Sequence, residues 1–300
     1  MKDRYVREII AGFPYPIVAY FMKLGTDECL DPGWLRLKYI LATAEAISRF
    51  LGIVVLCECR ELQEKNSAEV PTSLVVDFEK KFKTPGWGNW THFTREGLRW
   101  LDAHQVEQTT PELVSFYFKR VPAESSAASA LGKLLTIRNG LSHEKIKAMH
   151  ASDFHSLCEE TYPPLEEVLE ALDFLLNYEL AFVSQIEVNK RRKRAPSFLH
   201  RFSRLIGSSD AFPGARETLD SFLDSSSILL IDTENRRHLN LDPLLIYEAS
   251  AGKAPDIFFY NGLKKPGVAE YSGCHRGGNV VSTDSKRAEE LGEEIMGRMD

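Results

Sequence analysis

The residues of this chain with the clearest chemical potential lie in one short segment, Ile137-Arg138-Asn139-Gly140-Leu141-Ser142-His143-Glu144. A guanidinium such as that of Arg138 presents a planar set of N–H donors that suits phosphate or carboxylate oxygens. An imidazole such as that of His143 has an unperturbed pKa of about 6.5, which suits proton transfer at neutral pH. The segment therefore holds residue types that can bind an anion and move a proton.

The helix predicted before this segment determines how its side chains are directed. Arg138 follows Leu134 by four positions and so falls on the apolar stripe of that helix. An arginine on a packing side needs an anionic partner, because a buried unpaired charge is costly. On an ideal helix His143 points about 140° away from Arg138 and shares a face with Asn139. One copy of the segment is therefore a poor cage for a phosphodiester, whereas two copies facing each other would form a good one.

Composition and charge limit the class of protein. The chain has 300 residues, is 43% hydrophobic and 27% charged, and carries a net charge of -6 at pH 7. This length is sufficient for about two domains with sizeable cores. The negative charge argues against a broadly cationic nucleic-acid binder, although a local basic patch on an acidic chain can still bind RNA.

Three features predict a cytoplasmic protein with no membrane partner. The 5 cysteines are odd in number and lack a paired CxxC pattern, which is typical of reduced thiols. The charged start of the chain, 1–8, does not resemble a signal peptide. The longest strongly apolar patch, Leu51 to Cys57, is far shorter than the roughly 20 residues that span a bilayer.

Helical periodicity dominates the first part of the chain. Apolar residues recur every three or four positions from Leu37 to Val55, which predicts an amphipathic helix beginning after Asp31-Pro32-Gly33. A second long helix is expected to open at Pro163-Pro164, since proline is tolerated in the first turn of a helix. Shorter helices are predicted over 5–11, 73–82, 94–104, 111–118 and 125–141, with a loop at 85–88.

Strand patterns follow beyond about Ala181. Two strands are predicted at 228–231 and 238–241, and a third at 257–260 precedes Asn261-Gly262, a strong signal for a hairpin turn before a returning strand at 268–271. The predicted fold class is α+β, a helical bundle followed by a small, mainly antiparallel β domain. The predicted divisions are a helical domain over 1–185, a basic linker over 186–197, the β domain over 198–283 and a charged tail over 284–300.

The Arg-Asn pair with a histidine five residues after the arginine resembles the Rx4H signature of the HEPN superfamily, a helical ribonuclease fold of many prokaryotic toxins and defence effectors. Other segments resemble a module of bacterial conflict and phage-defence proteins that often reads LRNRxAHG where this chain has 137–144. These segments are 13–16, the long helix with Glu45, 86–90, 111–113, 241–245 and 269–271. The resemblance covers most of the chain, but only the Arg-Asn-x3-His element carries a mechanism. Ser142, where alanine is common, is a minor departure.

This resemblance implies a HEPN-like bundle that acts as a homodimer, with a composite site at the interface and no metal or cofactor. His143 would assist proton transfer from the attacking 2′-hydroxyl of RNA or to the leaving 5′-oxygen. Arg138 would neutralise the pentacoordinate phosphate, and Asn139 would hold the histidine or a phosphate oxygen. Glu45 would support these residues from the neighbouring helix. The products would be a 2′,3′-cyclic phosphate and a 5′-hydroxyl, and DNA would not be cut.

The resemblance also implies partners: an RNA substrate and an antitoxin or another protein of a defence system. The best candidate for holding RNA phosphates near the site is the basic run Lys190, Arg191, Arg192, Lys193 and Arg194. Such a run is also typical of a solvated linker.

Two other functions stay open. Many HEPN-like domains do not catalyse and serve as dimerisation or interaction modules, in which case Arg138 pairs with an acid such as Glu45 and His143 caps its helix. A nucleic-acid-binding regulator would need the basic run to join other lysines and arginines in one patch. We expect no metal site, since the spacing of His150, His155 and Cys158 lacks a matching fourth ligand.

Overall fold

The computed structural model describes residues 3–66, 81–105, 107–141, 143–219, 221–248, 255–265, 268–274 and 280–282. It has a mixed α+β architecture, in which helices come first and most strands follow, in antiparallel sheets. This confirms the predicted α+β class and the order of helices before strands. The predicted charged tail over 284–300 and nearly all of the helix predicted over 73–82 lie outside the described residues.

The helices of the described part all lie before residue 178. They are α1 Asp3–Gly12, α2 Tyr15–Phe21, α3 Asp27–Leu30, α4 Trp34–Asn66, α5 Trp87–His104, α6 Glu112–Tyr117, α7 Ser126–Asn139, α8 His143–Ala148 and α9 Ala151–Ala171, with 3-10 turns at Met22–Gly25 and Asp173–Asn177.

Helix α4 is the central helix. It begins after Asp31-Pro32-Gly33, as predicted, and packs against α2, α5, α7 and α9. Its close contact with α5 depends on Gly97, where a Cβ would lie 2.4 Å from Cγ1 of Val55. By length and composition the segment Trp34–Gln63 could cross a membrane, but 83% of its apolar window is buried inside the fold, as in the core helix of a soluble protein.

The prediction that a long helix opens at Pro163-Pro164 was wrong. Both prolines lie inside α9, which begins at Ala151. The start of this helix is fixed by His150, whose backbone N–H donates to the carboxylate of Asp153 at 2.8 Å. This side-chain cap satisfies a backbone donor that would otherwise have no partner in the helix, and it sets the boundary well before the prolines.

The strands form two larger sheets and one small hairpin, and all their pairs are antiparallel. The small hairpin pairs β1 Phe118–Arg120 with β2 Ala123–Glu124. A five-stranded sheet has the order β5-β4-β3-β6-β7, with β3 Tyr178–Asn189, β4 Ser197–Arg204, β5 Gly214–Leu219, β6 Ile228–Asp232 and β7 His238–Asn240. A four-stranded sheet has the order β11-β10-β9-β8, with β8 Leu245–Glu248, β9 Asp256–Lys265, β10 Val268–Gly273 and β11 Val280–Ser282.

Both predicted hairpins exist, but one of their turns lies elsewhere. Strands β6 and β7 pair as predicted, and so do β9 and β10. Asn261-Gly262 does not form the second turn, because both residues lie inside β9. The register shifts between Tyr260 and Gly262, which leaves Asn261 as the extra residue of a β-bulge. Gly262 has a φ of 124°, and a Cβ there would lie 2.5 Å from the carbonyl oxygen of Lys83.

The predicted division between domains falls within regular structure. Residue 185 lies inside β3, and the predicted linker 186–197 comprises the end of this strand, a turn and the first residue of β4. The ladder between β3 and β4 continues to the pair Asn189 and Ser197, so its hydrogen bonds hold residues that a linker would leave free. A single cluster of buried side chains runs from the helices into both larger sheets.

Candidate functional site

The Arg138–His143 segment turns from the end of one helix into the start of the next. Helix α7 ends at Asn139, and the N–H of Gly140 donates to the carbonyl oxygens of Thr136 and Ile137, each at 3.1 Å. Helix α8 begins at His143. The backbone of His143 is therefore past the end of α7, whereas Ser142 and the side chain of His143 lie outside what the structure describes.

Arg138 is exposed, so the expectation that it lies on a packing side was wrong. Leu134, one turn earlier, is fully buried, whereas Leu135 is only partly buried, because the last turn of α7 extends beyond the core. The Nη1 group of Arg138 donates to Oδ1 of Asn139 at 3.3 Å. Among the described residues, no carboxylate lies within ion-pair distance of this guanidinium. Its remaining donors have no hydrogen-bond partner among the described residues.

Glu45 does not pair with Arg138. Its Oε1 accepts a hydrogen bond from Nη2 of Arg49, one turn further along α4, at 2.8 Å. The ion pair between Glu45 and Arg138 that a purely structural role would have used is therefore not formed. The partner of Glu45 is decided by helical spacing, since residues four apart lie on one face.

Glu45 and Arg138 nevertheless line the same open cavity, of about 490 Å³, which we call the Arg138 cleft. Its other lining residues are Trp34, Lys38, Leu41, Ala42, Leu141 and Ile146. His143 lies in the chain between Leu141 and Ile146, which both contribute to the cleft. Trp34 is 41% exposed. The other tryptophans, Trp87, Trp90 and Trp100, are buried in the core.

The basic run 190–194 lies apart from the cleft. Its five side chains are exposed in the turn between β3 and β4, where Lys193 has a φ of 66°. The opposite end of β3 is attached to the helices, since the hydroxyl of Tyr178 donates to Glu112 of α6 at 2.7 Å. At about 3.3 Å per residue, the end of β3 next to the basic run lies about 36 Å from Tyr178. None of the five residues lines the Arg138 cleft.

A second cavity, of about 450 Å³, was not predicted from the sequence. We call it the Arg49 cavity. It is lined by Ala19, Tyr20, Lys23, Lys38, Tyr39, Ala42, Glu45, Ala46, Arg49, Phe259, Asn261, Ser272 and Cys274. It shares Lys38, Ala42 and Glu45 with the Arg138 cleft, so the two lie side by side along α4. The sequence signal that could have located it is the recurrence of charged residues at 38, 45 and 49 on one face of that helix.

His150, His155 and Cys158 lie in separate environments. His150 precedes α9, Nε2 of His155 lies 3.3 Å from Glu159, and the buried thiol of Cys158 lies 3.5 Å from the carbonyl oxygen of Gly33. Within the described ranges, no group of three or more His, Cys, Asp or Glu side chains is arranged to hold a metal ion.

The chain was also compared with known proteins. No protein-family model, curated protein or solved structure matches it. The likeness to the HEPN superfamily therefore remains an expectation that rests on the sequence motif.

Proposed function

We propose that this chain is a metal-independent endoribonuclease of the HEPN type that acts as a homodimer. The observation that carries the proposal is the state of Arg138: exposed, on the wall of an open cleft, and without a carboxylate partner among the described residues. An arginine that stabilised the fold would have its donors engaged by protein acceptors. One with free donors is suited to a phosphate.

In the proposed reaction, the 2′-oxygen of a ribose bonds to the adjacent phosphorus while the bond from phosphorus to the 5′-oxygen breaks. One His143 accepts the proton of the 2′-hydroxyl, and the His143 of a second copy donates a proton to the leaving 5′-oxygen. Arg138 neutralises the charge that develops on the phosphate. Asn139, whose side chain contacts the guanidinium at 3.3 Å, orients Arg138. The products are a 2′,3′-cyclic phosphate and a 5′-hydroxyl.

The proposed dimer has support from the surface around the cleft. Leu30 and Trp34 are 61% and 41% exposed, and Trp34 itself lines the Arg138 cleft. Large apolar side chains at such exposure are typical of interfaces, where an aromatic anchor is covered on binding. A second copy seated on Leu30 and Trp34 would bring its own Arg138 and His143 to the same cleft.

The biological setting of the proposal comes from the sequence resemblance. A ribonuclease of this type would act in the cytoplasm as a toxin or as an effector of phage defence. A neighbouring antitoxin or defence protein would restrain it. The β sheets would then recruit or sense such a partner.

The test is cleavage of total bacterial RNA by the purified full chain in EDTA, with Arg138→Ala and His143→Ala beside it. Arg120→Ala is the matched control, because Arg120 is also exposed but lies on β1, away from the cleft. The proposal predicts cuts with cyclic-phosphate ends in wild type and in Arg120→Ala, and none in the other two. Equal cleavage by all four proteins, with folding and oligomeric state unchanged, would overturn it.

The exposed apolar pair also favours a second function, a non-catalytic dimerisation module. On that account Trp34→Ser abolishes dimerisation, while the wild type leaves RNA intact. Sedimentation of wild type and Trp34→Ser beside the cleavage assay separates the two functions, since the ribonuclease account requires both dimerisation and cleavage.

A further inference from the structure

The Arg49 cavity is enclosed by three parts of the chain that are distant in sequence. Helix α4 forms one wall, α2 and the 3-10 turn after it form another, and β9 and β10 form the third. Its volume of about 450 Å³ is within the range of sites for small organic molecules. A site of this volume suits a small ligand.

Arg49 lines this cavity and is held by two hydrogen bonds. Its Nη2 group donates to Glu45 at 2.8 Å and its Nη1 group donates to the hydroxyl of Ser272 at 3.1 Å. Its Nε is buried and has no hydrogen-bond partner among the described residues. A guanidinium fixed by two hydrogen bonds loses little entropy when it binds an anion.

The residues that line the cavity carry a net positive charge, although the chain as a whole is negative. Lys23, Lys38 and Arg49 contribute three positive charges, and Glu45 contributes one negative charge. Glu45 is already engaged by Arg49, so the two lysines have no carboxylate partner within the cavity. Since lysine ammonium groups bind phosphate as point charges, this arrangement favours an oxyanion with two negative charges.

The β-bulge in β9 adds a polar group at the wall opposite α4. Asn261 is the extra residue of the bulge, and it lines the cavity. Bulges commonly redirect a side chain next to a binding site. Gly262 makes this bulge possible, because its φ of 124° and its contact with the carbonyl oxygen of Lys83 leave no room for a Cβ. The Asn261-Gly262 pair thus shapes the cavity instead of forming a turn.

Two tyrosines supply both aromatic surface and hydroxyl groups. Tyr20 and Tyr39 line the cavity and are half-buried. Burial raises the pKa of Tyr20, and the nearby Cys274 raises it further, so its hydroxyl stays protonated and can donate a hydrogen bond. These rings give a ligand with a planar organic part a surface on which to pack.

We propose that the Arg49 cavity is a binding site for a small organic phosphate of about the size of a nucleoside monophosphate. The phosphate contacts Arg49 and Lys23, and the organic part lies between the tyrosines and Asn261. This site is separate from the proposed ribonuclease activity. The two cavities differ in their arginines, so each proposal can fail without the other.

The test is calorimetric titration of the full chain with AMP, GMP, CMP and UMP, with adenosine and inorganic phosphate as probes of each half of the ligand. Lys23→Met removes a charge found in this cavity and not in the Arg138 cleft, and Asn261→Asp adds a repelling carboxylate. Lys119→Met, an exposed lysine on β1, is the matched control. Arg138→Ala tests independence from the cleft.

We expect at least one monophosphate to bind more tightly than adenosine and inorganic phosphate. Its affinity should fall by about tenfold in Lys23→Met and further in Asn261→Asp. It should be unchanged in Lys119→Met and Arg138→Ala. Binding that is equal in all variants would overturn the proposal. The proposal would also be overturned if no probe bound at millimolar concentration. It would be overturned as well if only RNA oligonucleotides bound and this binding were lost in Lys23→Met.

Discussion

The turn between β6 and β7 contains Arg237, the last turn of helix α7 contains Arg138, and these two arginines are used differently. Arg237 lies 3.1 Å from Asp232 and 3.2 Å from Glu107. Arg138 is exposed and contacts Asn139 at 3.3 Å. The first guanidinium is engaged by carboxylates and stabilises the turn. Among the described residues, the second contacts only a neutral amide.

The carboxylate of Asp232 shows how fully the first turn is satisfied. Its oxygens accept from the backbone N–H groups of Glu234 and Asn235, each at 3.0 Å, and from the side chains of Asn235 and Arg237. Burial alone would raise the pKa of Asp232, but these hydrogen bonds outweigh it and lower the pKa. The residue is 3% exposed. The carboxylate of Asp232 therefore has a structural role in this turn.

The largest expected effect on stability is that of Asp232→Ala. It removes four hydrogen bonds and leaves Arg237 without its closest partner, which should lower the free energy of unfolding by about 3–5 kcal/mol. Urea unfolding measures the change. Asp224→Ala is the control, because Asp224 is exposed and accepts one hydrogen bond, from Asn240. A loss below about 1 kcal/mol for Asp232→Ala would contradict the structural role of the turn.

A smaller effect is expected on dimerisation. If the Arg138 cleft is completed by a second copy, Trp34→Ser should raise the dimer dissociation constant by about thirtyfold, since exposed aromatic anchors dominate such interfaces. Analytical ultracentrifugation measures this. Phe222→Ser is the matched control, as Phe222 is 69% exposed but follows β5, away from the cleft. Equal dissociation constants for the two variants would place the interface elsewhere.

Two buried carboxylates, those of Asp232 and Glu58, contribute to stability with opposite dependence on pH. The pKa of Asp232 is lowered on folding, so its stabilisation is present above the unfolded pKa of about 3.9 and is lost as pH falls below it. The pKa of Glu58 is raised, mainly by burial, although the backbone N–H and hydroxyl of Thr110 donate to it at 2.8 and 2.9 Å. Ionisation of Glu58 therefore lowers the free energy of unfolding as pH rises above the pKa that Glu58 has in the unfolded chain.

We expect the stability difference between wild type and Asp232→Ala to shrink below about pH 4. Glu58→Gln keeps an acceptor for Thr110 and should become more stable relative to wild type as pH rises from about 4 to 7. Unfolding midpoints over this range measure both trends. If the two variants changed with pH in the same direction, the assignment of opposite pKa shifts would be wrong.

The smallest expected effect is that of replacing the basic run on RNA affinity. Replacing Lys190, Arg191, Arg192, Lys193 and Arg194 with glutamine should lower RNA affinity by only about threefold and reduce its salt dependence, because the run lies away from the Arg138 cleft. Filter binding at several salt concentrations measures this. A loss above about a hundredfold would make the run the main RNA-binding surface.

Some of this fold could be predicted from the sequence because the signals are local. The periodicity and the preceding turn located α4. The apolar run at 228–231, the polar turn after it and the segment 238–241 located β6 and β7. The start of α9 was missed because the cap formed by His150 and Asp153 outweighs the two prolines. The bulge at Asn261 depends on contact with Lys83, which is far away in sequence.

The candidate site was only partly predictable, because local sequence patterns do not contain contacts between distant segments. The motif gave Arg138, Asn139 and His143, but periodicity directed Arg138 towards the core. Where α7 leaves the core depends on the ends of its neighbouring helices, which a local pattern does not contain. The Arg49 cavity is formed by α2, α4, β9 and β10, so the charged residues on one face of α4 indicate only one of its walls.

The central claim is that Arg138 acts in RNA cleavage, whereas Arg237 stabilises the fold. The most direct test measures RNA cleavage and the free energy of unfolding for Arg138→Ala and Arg237→Ala in parallel. We predict that Arg138→Ala slows cleavage by about a hundredfold to a thousandfold and changes stability by less than about 0.5 kcal/mol. Arg237→Ala should lower stability by about 2 kcal/mol and cleave at the wild-type rate at a temperature where it is folded. Cleavage by Arg138→Ala at the wild-type rate, or its destabilisation to the level of Arg237→Ala, would contradict the account.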